Sequence, residues 1–287
     1  MKFHHIAVAV AFLLYPMTDV MAGSDDGPIS GSGSLCEDIR SVMMLYDGNM
    51  LSRSRYLFDE ISRSADNTDA YAYSVLCDIR MQVPGYSARM DTFIAAEPQS
   101  PYIPQMRLLH AFNLFERKEY ASAYEQFAGI PVKRIRPDHI PEYLFKKACS
   151  AMETGKFDDA IEDFRTVEAM SLSDYTAPAR YALGYACYNK SEFKEALVWF
   201  EKASSDGRFK GLAEFYMVEC RFMLKDYDQV VKTGTALYPS VPKERKAHLS
   251  RLISESYLVL GDAGNARRFY DLGRLEDGHD DKSRSDC

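Results

Sequence analysis

One spacing constrains this chain more than any other feature. An apolar residue that opens a short amphipathic stretch returns as Leu51, Tyr86, Tyr120, Phe157, Phe193, Tyr227 and Ala263. The units it marks begin near Leu35, Ala70, Pro104, Pro141, Ala177, Gly211 and Ala247, at steps of 35, 34, 37, 36, 34 and 36 residues. A period of that length, with apolar residues at helical spacing, is what helical hairpins produce when none can bury its apolar face alone. Each must then stack on the next.

The best-formed unit surrounds Tyr181 to Ala203. Gly184 in the first helix and Ala196 in the second let two backbones approach, and the Phe200 ring fills the space beyond. The ring recurs as Phe58, Phe93, Phe127, Phe164, Phe200 and Tyr270, with Gly234 the one failure. The small residue recurs as Ala123, Ala160, Ala196 and Ala266 but is replaced by Ser54, Arg89 and Val230 elsewhere. The order Leu183-Gly184, then Ala196 and Phe200, resembles the tetratricopeptide-repeat (TPR) signature, whose period is about 34 residues. The resemblance covers most of the chain. It implies an all-α fold, a right-handed α-solenoid of about seven TPR-like hairpins, and binding rather than catalysis. The chain resembles exported bacterial TPR scaffold proteins.

Breakers agree with this plan, because Pro84-Gly85, Pro101, Pro131, Pro137, Pro239 and Pro242 fall between helical stretches. Gly155 and Gly261 stand where a first helix should end in a left-handed residue. Asp226 and Asp262 are candidate caps for the helices that follow.

The ends read differently. Residues 1–22 have the form of an export signal: Lys2 near the start, the apolar run Ile6–Leu14, and Val20-Met21-Ala22 as a cleavage site. Residues 23–34 are a Gly/Ser-rich linker, 35–277 the helical repeat domain and 278–287 a polar tail, read as disordered. The mature chain has no apolar run of the roughly 18 residues that a spanning helix needs. The expected location is the periplasm or the outer-membrane surface. Phe269, Leu272 and Leu275 leave the last hairpin with an uncovered stacking edge, to be met by a partner or by further repeats.

A net charge of −7 without a clustered basic run argues against nucleic acid. The six cysteines form no Cys-x-x-Cys and read as small buried residues, with Cys149–Cys187 the one pairing considered. No His-Glu-x-x-His, Gly-x-Ser-x-Gly or Gly-x-Gly-x-x-Gly occurs. No enzyme, cofactor or metal is expected, and His110 reads as a satisfied core residue.

What remains is a surface. In TPR folds the first helix of each pair lines the groove, and repeat positions 5, 9 and 12 share one helix face. They place Phe112, Phe115, Phe145, Tyr181, Tyr185, Tyr188, Phe215 and Phe222 in a stripe edged by Glu116, Glu153, Glu219 and Glu255. This stripe is the candidate partner-binding site. The clamp that grips a terminal carboxylate uses Lys and Asn where this chain has Phe145, Cys149, Tyr181 and Tyr185, so the rings suit an apolar or basic protein segment. The alternative ligand is a glycan stacked on the rings. A long groove favours peptide, and a compact coplanar cluster favours sugar.

Overall fold

The computed structural model describes residues 39–65, 67–170 and 173–276. The export-type segment 1–22, the linker 23–34 and the tail 278–287 lie outside them. The described residues contain fourteen α-helices and no strand. In chain order they are α1 (Ile39–Asp47), α2 (Leu51–Ala65), α3 (Thr68–Arg80), α4 (Tyr86–Ala96), α5 (Ile103–Glu116), α6 (Tyr120–Ala128) and α7 (Ile140–Glu153). Then follow α8 (Phe157–Ala169), α9 (Thr176–Asn189), α10 (Phe193–Ala203), α11 (Lys210–Met223), α12 (Tyr227–Leu237), α13 (Lys243–Val259) and α14 (Ala263–Glu276). They pair as seven consecutive hairpins. First helices start within four residues of the expected repeat starts, and every second helix opens on its marker residue, Leu51 to Ala263.

All seven turns are built alike. The residue two past each first helix is left-handed: Asn49, Gln82, Lys118, Gly155, Ser191, Lys225 and Gly261. The next residue's N–H reaches back to a carbonyl five residues earlier, as in Glu192 to Cys187 and Asp226 to Arg221, both at 2.9 Å. This pairing satisfies carbonyls that the end of a helix leaves open. Only two of the seven turns use glycine there, so five were invisible to a search for glycine. Asp262 does cap α14, its Oδ1 accepting from the Asn265 N–H at 3.0 Å. Asp226 makes no side-chain cap bond, and that expectation is corrected.

The chain divides into two compact units that meet between Ser150 and Ala151, inside α7. In the N-terminal unit, Phe58 and Phe93 are fully buried in a core with Val75, Leu76 and Met106. Arg89 holds the close-approach position of the second hairpin. It donates to Asp59, Asp78 and Ser74, and Asp78 also receives Arg55. Ser74 in turn donates to Asp59. Asp78 is 2 % exposed, so its charge is held by these two guanidinium groups rather than by water.

In the C-terminal unit the close approach is literal. A Cβ on Gly184 would lie 2.7 Å from the Phe200 ring. The failure at Gly234 has a partner: Ile253 of α13 occupies the space, 2.9 Å from where a Cβ would stand. The last ring is corrected by one residue. Phe269 is buried against Tyr238 and Tyr257, and Tyr270 is 59 % exposed.

Candidate functional site

The first helices position the predicted rings, because positions three and four apart project from one side of each helix. Within the C-terminal unit, α9 carries Tyr181, Tyr185 and Tyr188, and α11 carries Phe215 and Phe222. Tyr181 is 1 % exposed and packs between Phe200 and Phe209, with centroids at 5.8 and 5.4 Å. It is a core ring. Tyr185, Tyr188 and Phe222 are half-buried, and Phe215 is nearly covered.

The centre of this cluster is Tyr216, which the reading of positions 5, 9 and 12 passed over. Its ring stacks on Phe200 at 5.3 Å and 10°, and meets Tyr185 and Tyr188 edge-on, each at 5.5 Å. Tyr216 therefore links the packed core to the two rings that reach solvent. Burial, joined by Glu219, pushes the Tyr188 phenol up, and burial does the same for Tyr185 and Tyr216. All three remain neutral donors at any physiological pH.

A polar edge borders the rings. Glu219 on α11 holds His248 Nε2 on α13 at 2.6 Å, and Arg251 donates to His248 Nδ1 at 3.2 Å. The His248 ring thus stands between Glu219 and Arg251. Arg245 lies 5.0 Å from the Phe215 centroid and 5.8 Å from that of Tyr216. Its Nη1 is buried without a hydrogen-bond partner among the described residues.

The N-terminal unit treats the same face differently. Phe112 and Phe115 on α5 flank Lys146 on α7, whose Nζ lies 4.7 and 5.5 Å from their centroids. Glu116 and Glu142 hold that ammonium at 2.9 and 3.0 Å. Burial alone would lower the Lys146 pKa, but the two carboxylates outweigh it and keep the group charged. Phe145 is 2 % exposed and belongs to the core. Lys146 and Tyr216 share repeat position 6, so adding that position to the pattern would have found both. His110 shares a hydrogen bond with Tyr86 at 2.9 Å.

Buried thiols complete the inventory. Burial pushes Cys77 and Cys220 up to about 12 and Cys187 up to about 11, which leaves them protonated and unreactive. Cys187 is an unbridged thiol, so the Cys149–Cys187 pairing is not formed. Cys187, Glu192 and Glu195 bring ligand atoms within 4.8 Å of one another. Lys190 and Arg165 already pair with those two carboxylates.

Comparison with solved structures decides the fold. RapI in its apo form matches over 86 % of this chain and 78 % of its own, with TM-score 0.57 and 14 % identity. MamA matches over 58 % and 94 %, with TM-score 0.51 and 17 % identity. YrrB, described as a TPR protein with an unusual peptide-binding site, matches over 66 % and 93 %, with TM-score 0.52 and 14 % identity.

The fold is that of the tetratricopeptide repeat.

Comparison of the sequence with known families and with curated proteins finds no match. The TPR fold here carries its signature most cleanly at Gly184, Ala196 and Phe200. Among the described residues no helix is long and apolar enough to cross a membrane.

Proposed function

We propose that this chain is a non-catalytic TPR scaffold of the bacterial cell envelope, in the periplasm or at the outer membrane, that holds a segment of another protein. The observation that carries the reading is the pair of half-buried rings, Tyr185 and Tyr188, set against Tyr216 on the first helices of the C-terminal unit, with Phe222 half-buried further along α11. Aromatic rings fixed by packing supply contact area at low entropy cost and are enriched at binding hot spots. The envelope location rests on the export-type residues 1–22. A peptide-binding site in YrrB, which shares the fold, supports the kind of ligand.

The chemistry narrows the segment. Lys146 and His248 already engage Glu116 and Glu219, so two of the four rim carboxylates are satisfied from within. What the face offers a partner is chiefly stacking area, the Tyr188 and Tyr185 phenols being engaged by Glu219 and Asn189, which favours an apolar segment over a basic one. Tyr216 meets Tyr185 and Tyr188 at 83° and 66°. The two rings that reach solvent, Tyr185 and Tyr188, lie 28° from parallel with centroids 6.2 Å apart, so a glycan stays the alternative ligand. The peptide is preferred because YrrB, which shares the fold, has a peptide-binding site.

Cross-linking in the envelope, followed by identification of the captured chain, tests the proposal. Replacing Tyr185 and Tyr188 together by Ala should cut capture about tenfold, roughly 1.4 kcal/mol, with helicity unchanged. Tyr181→Ala should instead lower stability by about 3 kcal/mol, as the loss of a buried ring does. Undiminished capture by the double variant would end this assignment of the site.

A further inference from the structure

The repeat lets equivalent positions be compared along the chain, and the two ends of the described chain expose apolar residues at or beside positions buried elsewhere. The ring seven residues into the second helix is fully buried at Phe58, Phe93, Phe127, Phe164 and Phe200. In the last hairpin Phe269 supplies the buried ring, and its neighbour Tyr270 turns outward at 59 % exposure, with Leu258 at 60 %. Tyr270 and Leu258 border a cleft of about 550 Å³ between α13 and α14, floored by Phe269 and Gly273.

The second position is the fourth residue from the end of each first helix. Cys77, Ser150, Ala186, Cys220 and Ser256 are fully buried there, and Met44 in α1 is 72 % exposed. This position faces the preceding hairpin. Asn113 shows it directly, its side-chain amide donating to the Ile79 carbonyl at 2.8 Å.

One end of the described chain thus presents the first-helix half of the hairpin-on-hairpin contact, and the other end presents the second-helix half. We infer that two copies of this chain associate head to tail, α1 of one seating its Met44 face in the α13–α14 cleft of the other. The contact continues an interface that the chain forms within itself wherever one hairpin stacks on the next, which is why a second copy is the occupant that fits. An unbranched methionine suits a cleft with an irregular apolar floor. Because the two surfaces differ, the contact is heterologous, and association does not stop at a dimer.

Sedimentation velocity of the mature protein, its N-terminus established by mass spectrometry, tests this. The mean mass of the wild type should rise with concentration to more than about twice that of the protomer. Met44→Glu and Tyr270→Glu should each stay monomeric alone, because each loses one half of the contact. Mixed in equal amounts they should form dimers and nothing larger, since one intact half remains on each. Both residues are exposed, and unchanged circular dichroism establishes that the variants are folded. A wild type that is monomeric at every concentration overturns the inference. So does association that survives Met44→Glu, or a mixture that fails to pair.

Discussion

The second and fifth hairpins solve one packing problem with opposite chemistry. In the fifth, Gly184 and Ala196 clear the space and Phe200 fills it, so the contact is apolar and close. In the second, Arg89 stands at the position of Ala196, and the space is organised by Asp59, Asp78, Ser74 and Arg55 around its guanidinium. An apolar contact of this kind tolerates the loss of a partner in proportion to the area lost. A buried ionic cluster does not, because any survivor keeps its charge without a counterpart. The same contrast runs through the candidate binding faces. In the N-terminal unit Lys146 fills the space between Phe112 and Phe115, and in the C-terminal unit Tyr185 and Tyr188 stay open to solvent.

The strongest way to break this comparison is Arg89→Ala. It leaves Asp78 buried with only Arg55 and should cost about 3–5 kcal/mol. The loss should fall on the N-terminal unit. Trp199, the one tryptophan, sits in α10 of the other unit, so its fluorescence transition should lag behind the loss of circular dichroism. Coincident transitions would show that the cluster supports both units equally. Acid probes the same cluster. Burial raises the Asp59 carboxyl, but hydrogen bonds from Ser74 and Arg89 outweigh it and hold the carboxyl below its ordinary 3.8. A depressed carboxyl contributes stability that is complete above its unfolded value and fades as pH falls through the folded one. Dichroism should therefore fall ahead of Trp199 fluorescence as pH drops below about 3.8.

Gly184→Ala addresses the apolar solution. Its Cβ would enter the Phe200 ring, and overpacking of this kind costs about 1–3 kcal/mol. Here the Trp199 transition should move first in urea. A variant as stable as the wild type would mean that the ring shifts freely and that close approach does not set this hairpin.

The smallest effects belong to the turns. Lys225 is left-handed at φ 63° and Gly155 at φ 79°. Lys225→Gly should leave stability level or raise it by up to about 1 kcal/mol, and Gly155→Ala should lower it by about the same. Nothing lies within 4 Å of a Cβ built on Gly155, so the cost would be backbone strain alone.

Much of the fold was legible because it is periodic. The seven marker residues recur at nearly fixed steps, and each proved to open a second helix. The candidate site was less legible. A three-position pattern found Tyr185 and Tyr188, but it also selected Tyr181 and Phe145, which face inward, and it missed Tyr216 and Lys146. One helix position can face the core or the solvent according to what the neighbouring hairpin brings, and no single repeat contains that information.

The sequence by itself determined the number of hairpins, the place of each turn and the pairing of small residue with ring, because these depend on contacts within one repeat. Only the tertiary structure decided which rings stay open, which carboxylates are already engaged and how Arg89 is held. Those outcomes depend on side chains about 30 residues apart, as with Arg89 and Asp59, Glu116 and Lys146 or Glu219 and His248, meeting across hairpins. Local pattern carries no record of such meetings.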